Sequence, residues 1–190
     1  MTDLPSPREA LLTQFSRKMT QKLSAKEPKF ELSGEVWMIA HQRNTTLDLT
    51  CVGTTQSVQV CECENVKVVI PGKIVSIAII SSKGVEVSLN SCISGMELTN
   101  CNNVKVRVQN TLPSAAIDKC QQVGFWISKI NAEMIMFTSC KSGDMNVNVN
   151  RNTSGNVDED DWIEIAIHEQ FEHRINANMK METKPSMLYG

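Results

Sequence analysis

Short alternating clusters of aliphatic residues recur along this 190-residue chain at nearly constant spacing. The clusters begin at two interleaved sets of positions, namely 47, 66, 85, 104, 125 and 145, and 58, 77, 96, 115 and 134. The second set advances by 19 residues at every step. Apolar and polar residues alternate within each cluster, as a half-buried strand requires. Two strands in about 20 residues are too few for a propeller blade and too short for a helical repeat.

A column of small side chains keeps the same register, and we call it the corner column. Its predicted members are Cys63, Ser82, Cys101, Cys120 and Cys140. Turn-prone pairs follow the first four members: Glu64-Asn65, Lys83-Gly84, Asn102-Asn103 and Gln121-Gln122. Asn and Gly readily adopt the left-handed backbone that corners need. The pattern predicts an all-β fold, a right-handed parallel β-helix with about five coils between residues 47 and 150.

The composition agrees with a narrow coil interior and limits the possible partners. Hydrophobic residues make up 41% of the chain but aromatic residues only 5%, because stacked Val and Ile leave little room for rings. Seven cysteines without a secretory signal predict reduced thiols and a cytoplasmic protein. A formal net charge of -2 disfavours nucleic acid as a partner. No apolar run approaches the roughly 18 residues of a membrane span, so no membrane partner is expected.

No arrangement of residues predicts catalysis or metal binding. His168 and His173 flank Glu169 in a pattern similar to that of zinc proteases, but they are five positions apart and would diverge on a helix. Cys61 and Cys63 form the only close cysteine pair, which is a weak zinc signal. We therefore expect no enzymatic activity, no metal and no cofactor.

The two ends of the repeat carry different extensions. Ser6 and Pro7 begin a predicted amphipathic helix with the apolar stripe Leu11, Leu12, Phe15, Met19 and Leu23. This helix either caps the solenoid or docks in a partner's groove. At the other end, strands at 162–167 and 178–183 predict a terminal hairpin, which either caps its own β-helix or adds strands to a second copy. The predicted domains are a helical or flexible extension (1–29), the β-helix (30–157), and a strand-exchange hairpin with a tail (158–190).

Eight short motifs occur in order and in register between residues 30 and 190. They are Glu31-Leu32-x-Gly34-x-x-Trp37, Gly72-Lys73-Ile74-x-Ser76-Ile77, Ser94-Gly95-Met96-Glu97, Val104-Lys105-Val106-x-Val108-Gln109, Leu112-Pro113-x-x-x-Ile117-Asp118-Lys119, Ile127-Ser128-Lys129, Met145-Asn146-Val147 and Glu169-Gln170-Phe171. Together they resemble the C-terminal, actin-binding domain of the cyclase-associated proteins. The helical bundle and proline-rich stretches of longer family members have no counterpart here, so we expect no link to cyclase from this sequence.

The resemblance implies a cytoskeleton-associated protein that binds monomeric actin, prefers its ADP form and promotes exchange of ADP for ATP. It implies interplay with cofilin, which releases the monomers, and a homodimer made by exchange of C-terminal strands. The dimer residues expected on this basis are Trp162, Ile163, Ile165, Ile167, Phe171, Met179 and Met181.

The repeat register also predicts which side chains contact actin. Lys67, Lys105 and Arg107 are outward positions on one strand column, and basic residues there complement an acidic partner. Other expected contacts are Lys73 and Gln109 at the neighbouring corner, and Lys119 and Lys129 further along. The family resemblance, rather than the register, implies that the C-terminal tail also engages actin, so Leu188 and Tyr189 are expected contacts.

An alternative is a β-helix of the tubulin-binding cofactor C type. In that case Arg107 would act on a GTPase as an arginine finger. The sequence lacks a match to the arginine motif of that family.

Overall fold

The computed structural model describes residues 26–50, 52–152 and 161–186. The predicted helix near the N-terminus lies outside these residues, as do Leu188 and Tyr189. The described residues form fourteen strands and one short helix. They are β1 (Lys29–Ser33), β2 (Val36–Ala40), β3 (Arg43–Asp48), β4 (Ser57–Cys61), β5 (Glu64–Ile80), β6 (Lys83–Thr99), β7 (Asn102–Thr111), β8 (Ser114–Asp118), β9 (Gln121–Ser128), α1 (Lys129–Ala132), β10 (Met136–Cys140), β11 (Gly143–Asn150), β12 (Trp162–Ala166), β13 (Phe171–Ile175) and β14 (Met181–Pro185).

Each coil of the solenoid contributes a strand to each of two faces. The first face contains β3, the first halves of β5 and β6, β7, β9 and β11. The second face contains β2, β4, the second halves of β5 and β6, β8 and β10. Neighbouring coils pair in parallel throughout both faces. The predicted β-solenoid is confirmed.

Identical or similar side chains stack on one another inside the coils. Val66, Val85, Val104 and Val123 are successive register partners, and each is at most 2% exposed. Phe125 continues a neighbouring interior row and is fully buried. Burying such aliphatic surface contributes about 25 cal/mol per Å², so these rows supply most of the driving force for folding.

The corner between the second and first faces, here the first corner, has the same backbone in every coil. Two residues three positions apart adopt positive φ: His41 and Asn44, Glu62 and Asn65, Ser81 and Gly84, Asn100 and Asn103, Lys119 and Gln122, and Lys141 and Asp144. The four predicted turn pairs end at Asn65, Gly84, Asn103 and Gln122, each of which is the second positive-φ residue of its corner. At Gly84, with a φ of 65°, a Cβ atom would lie 2.5 Å from Asn65 Oδ1, so a side chain there would displace the Asn65 amide as well as adopt the left-handed backbone.

The corner column lies between these positive-φ residues and links neighbouring coils. The backbone N–H of Cys63 donates to Ser82 Oγ at 3.1 Å, and the N–H of Cys120 donates to Ser142 Oγ at 3.0 Å. The fifth member of the corner column is therefore Ser142. The prediction of Cys140 was wrong, because 22 residues separate Cys120 from Ser142 whereas 19 separate Cys63 from Ser82.

The additional residues belong to α1, at the corner between the first and second faces (the second corner). Ser128 caps the helix, and its Oγ accepts a hydrogen bond from the Asn131 N–H at 3.2 Å. The predicted strand at 134–136 is wrong, since the next strand starts only at Met136. Phe137 occupies the inward position, where it pairs with Ala115 and meets the Phe125 ring edge-on at 5.0 Å between centroids.

Antiparallel strands cap opposite ends of the two faces. β1 turns through Gly34, with a φ of 60°, and pairs with β2 at the end of the second face. β12 pairs with β11 at the end of the first face. The C-terminal hairpin consists of β13 and β14, which form a separate two-stranded sheet. The predicted strand at 178–183 starts at Met181, because residues 176–180 form the turn.

Candidate partner-binding face

The first face carries a network of alternating charges. Lys67, Glu86 and Lys105 are outward register partners on three successive strands. Lys67 Nζ lies 3.3 Å from Glu86 Oε1, and Arg107 Nε lies 3.8 Å from the same oxygen. The three predicted cations therefore do share one face, but Glu86 stands among them and partly neutralises the column. The side chains of Lys67 and Arg107 remain about half exposed, at 47% and 51%.

Trp126 extends this network onto the next strand and was missed by the sequence reasoning. The Arg107 Cζ atom lies 4.9 Å from the centroid of the Trp126 ring, within the range of a cation–π interaction. The ring covers Gly124, where an added Cβ would come within 2.7 Å of the indole. A signal existed, because Trp126 is the outward residue of a cluster whose neighbours Phe125 and Ile127 point inward.

Two shallow grooves flank Lys105 on this face. One, of about 430 Å³, contains Asn65, Lys67 and Glu86, and the other, of about 490 Å³, contains Trp126 and Glu164. Lys105 lines both grooves. It forms no ion pair among the described residues, so its ammonium group is available to a partner.

The other predicted contacts lie away from the first face. Lys73, Gln109 and Lys129 lie at or beside the second corner, Lys129 as the first residue of α1. Lys119 lies at the first corner, on the opposite edge, where its Nζ is 3.6 Å from Asp118. The structure thus brings together three of the seven described candidates and distributes the other four over two edges.

The second face differs in chemistry. Its outward residues are mostly small: Ser57, Ser76, Ala78, Gly95, Ser114 and Ala116 line a trough of about 570 Å³. Glu97 is the one charged residue in that lining. A flat surface with so few charges offers little electrostatic selectivity for a partner.

The C-terminal hairpin presents an exposed apolar surface. Strand alternation places Phe171 and Ile175 of β13 on one side, opposite Pro185 and Met181 of β14. Phe171 is 47% exposed, Met181 63% and Ile175 67%. Glu169 ties the base of the hairpin to the last coil, because its Oε2 accepts the backbone N–H of Asp144 at 3.0 Å.

The remaining predicted dimer residues are distributed over the strand that precedes this hairpin and the turn within it. Trp162, Ile163 and Ile165 belong to β12 and are 39%, 41% and 49% exposed, Ile167 packs partly against the core, and Met179 lies in the hairpin turn at 85% exposure. Apolar side chains this exposed are typical of surfaces that meet another protein.

Three of the buried thiols, those of Cys63, Cys92 and Cys101, are structural. Burial raises the pKa of Cys63 and of Cys92, and the pKa of Cys101 is raised by its hydrogen bond with the Cys120 thiol and by burial. A raised pKa keeps the thiol protonated and unreactive at neutral pH. Within the described ranges, no three His, Cys, Asp or Glu side chains are grouped as metal ligands. None of the described helices is long and apolar enough to cross a membrane.

Comparison with known proteins identifies related sequences and a related structure. Residues 26–188 match the family described as adenylate cyclase associated (CAP) C terminal. The chain is 27% identical over 173 residues to an adenylyl cyclase-associated protein of Schizosaccharomyces pombe, which spans 90% of the chain and 30% of that relative. It is 33% identical over 156 residues to an adenylyl cyclase-associated protein of Dictyostelium discoideum, which spans 82% of the chain and 32% of that relative.

The solved structure of a cyclase-associated protein from Cryptosporidium parvum has a similar fold. It superposes with a TM-score of 0.76 at 27% identity, covering 85% of this chain and 96% of that one. The chain spans about a third of the length of the two curated relatives.

Proposed function

Because the chain belongs to the C-terminal family of the adenylate cyclase-associated proteins, we propose that it binds monomeric actin. The observation that carries this proposal is the family match over residues 26–188. The first face supports it, because it combines a flat sheet with exposed cations, and such a surface complements an acidic protein.

Lys105 and Arg107 are the centre of the proposed contact. Lys105 has no ion-pair partner among the described residues and stands between the two grooves. Lys67 contributes from the neighbouring groove. Four further side chains at the edges of the solenoid would contact the partner only where it extends past the sheet: Lys73, Gln109, Lys119 and Lys129. The tail would contribute Leu188 and Tyr189.

The proposed activity is nucleotide exchange on actin. The protein would prefer ADP-actin, promote replacement of ADP by ATP, and so return monomers released by cofilin to the polymerisable pool in the cytoplasm. It would act as a homodimer, because the apolar side of the C-terminal hairpin is exposed in one chain and a second copy offers the same surface in return.

Charge reversal on the first face tests the contact. The double variant Lys105→Glu/Arg107→Glu should bind ADP-actin about tenfold or more weakly, because two attractive contacts become repulsive. The matched control is Lys83→Glu/Lys141→Glu, which makes the same charge change at the first corner. Sedimentation or fluorescence titration gives the affinity, and thermal unfolding verifies the fold. Equal binding by both double variants would remove the first face from the contact.

Release of a fluorescent nucleotide from ADP-actin tests the activity. The wild-type protein should accelerate release, and the first-face double variant should not. Absence of acceleration, together with stimulated GTP hydrolysis by tubulin, would favour the alternative in which Arg107 acts as an arginine finger. No structural observation favours that alternative, since Arg107 is engaged by Glu86 and by the Trp126 ring.

A further inference from the structure

We propose that Trp126, held over Gly124 by Arg107, is the anchor through which the first face binds an acidic region of its protein partner. The proposal rests on the function proposed above, since it names the residue that holds the same partner. Neither the repeat register nor the family motifs single out Trp126.

The position of the indole depends on Gly124. A Cβ atom on residue 124 would lie 2.7 Å from Cη2 and 2.8 Å from Cζ3 of the Trp126 ring. Any other residue would therefore push the ring away from the sheet. The ring covers Gly124 on the sheet, the Arg107 guanidinium lies over it, and Trp126 remains partly exposed. A planar apolar surface of this kind offers a large contact area at low cost in conformational entropy.

Arg107 fixes the ring and keeps hydrogen-bonding capacity for a partner. Its Cζ lies 4.9 Å from the ring centroid, and its Nε lies 3.8 Å from Glu86 Oε1. Glu86 is the one carboxylate within ion-pair distance among the described residues. A guanidinium has five N–H donors, so the remaining donors are available to an incoming carboxylate.

The network links four successive strands of the first face. Lys67 of β5 pairs with Glu86 of β6, which pairs with Arg107 of β7, which contacts Trp126 of β9. Each side chain limits the conformations of the next, so the anchor is ordered before the partner arrives. Preorganisation of this kind reduces the entropy lost on binding.

The charges around the adjoining groove select the polarity of the partner. On the β7 side the groove is lined by the basic Lys105, and Arg107 of the same strand lies over the Trp126 ring; on the β11 and β12 side it is lined by the acidic Asp144 and Glu164. Between them the groove is lined by amide side chains, those of Asn103, Gln122, Asn146 and Asn148. A partner carboxylate would bind at the basic end, and an apolar or planar side chain beside it would cover the indole. Trp and Arg are the residue types that most often dominate the energetics of protein interfaces.

Two substitutions test the anchor from different directions. Trp126→Ala removes the ring, and Gly124→Ala keeps both Trp126 and Arg107 but displaces the ring from the sheet. Each should weaken binding to ADP-actin by about thirtyfold, the effect of truncating an interface hot spot. Gly53→Ala is the matched control, because a Cβ there meets only the Gln56 side chain, at an ordinary 3.6 Å. Thermal unfolding of each variant verifies that the fold is retained.

A measurement on the unsubstituted chain covers the case in which a variant fails to fold. Three tryptophans occur in the sequence, and 5-fluorotryptophan labelling gives each a fluorine resonance that Trp→Phe variants assign. Addition of ADP-actin should shift or broaden the Trp126 resonance. The Trp37 resonance should stay unchanged, because Trp37 belongs to β2 of the second face and its indole is held there by the hydrogen bond from Nε1 to Gln56 Oε1 at 3.0 Å.

The outcomes separate this proposal from the function on which it rests. If the wild-type chain does not bind actin, both are wrong. If it binds, and the Trp126 resonance is unaffected while Trp126→Ala and Gly124→Ala bind as the wild type does, then the actin function stands and the anchor is wrong. Selective loss of binding in both variants, with Gly53→Ala unaffected, supports the anchor.

Discussion

The solenoid body and the C-terminal hairpin share one sequence pattern but differ in what covers it. In the body the inward residues of the alternating strands are covered by the next coil, and none in the hydrophobic core is more than 6% exposed. In the hairpin, Phe171 and Ile175 alternate in the same way and remain 47% and 67% exposed. The alternating pattern therefore shows which residues lie on the same side of a strand. Whether that side is buried depends on whether another coil or another chain packs against it.

The difference also concerns stability. Apart from β3 and β10 at the ends of the faces, each strand of the body pairs with two neighbours, whereas an isolated two-stranded hairpin is at best marginally stable in water. The hairpin would therefore be stabilised more than the body by the proposed second copy.

The largest expected effect comes from opening a cavity in the body. Phe125→Ala should lower the free energy of unfolding by about 3–5 kcal/mol, because the buried ring and its contact with Phe137 are lost. Phe30→Ala is the comparison, since Phe30 is 41% exposed and should cost less than half as much. Urea unfolding measures both. Similar losses would mean that burial in the coil does not distinguish the two rings.

A second substitution addresses the hairpin. Phe171→Asp/Ile175→Asp should convert a dimer into a monomer, because charges placed on the apolar side oppose its burial in a second copy. Light scattering at micromolar concentration measures the mass. Glu172→Gln/Arg174→Gln, on the opposite side of the same strand, should leave the dimer intact. A monomeric wild type would contradict the proposed homodimer directly.

The smallest expected effect concerns the thiols of the corner column. The folded pKa values of Cys63 and Cys101 are raised above 9.0, so the folded state holds protons that the unfolded state releases above about that pH. Their contribution is fully present below pH 9 and declines as the pH rises. Each thiol should lower the free energy of unfolding by at most about 1.4 kcal/mol per pH unit, the limit reached where the folded thiol keeps a proton that the unfolded thiol has lost.

Serine substitution isolates this alkaline effect. Cys63→Ser/Cys101→Ser should unfold at nearly the wild-type denaturant concentration at pH 8, because Ser82 and Ser142 already occupy equivalent positions. The variant should lose less stability than the wild type between pH 9 and pH 10. Parallel slopes for the two proteins would show that the thiols do not titrate on unfolding.

The sequence predicts the parts of the fold that repeat. The spacing of 19 residues and the turn-prone pairs at four of the first corners are sufficient to predict the coils, their register and most of the corner column. They fail at α1, because a short helix inserted at the second corner changes the spacing without changing the inward pattern. Cys140 was misplaced for the same reason, since a cysteine happened to lie where the unbroken repeat expected one.

The site was less predictable than the fold. Alternation correctly placed Lys67, Lys105 and Arg107 on one face. It could not show that Glu86 neutralises part of that column, nor that Trp126 lies over Gly124, because both depend on lateral contacts between coils. The alternation showed that Trp126 points outward, but Trp126 is the one outward aromatic residue of its strand column, so no repeat spacing supported a role for it.

The two corners differ in how strictly their backbone repeats from coil to coil. The first corner repeats the same pair of positive-φ residues in all six coils, whereas the second corner accommodates α1 without moving Ser142 out of the corner column. Residues gained or lost at the second corner alter one edge and leave the strand spacing of the first face unchanged. Related proteins can therefore differ in coil length along that edge while keeping side chains on the first face about 4.8 Å apart from strand to strand.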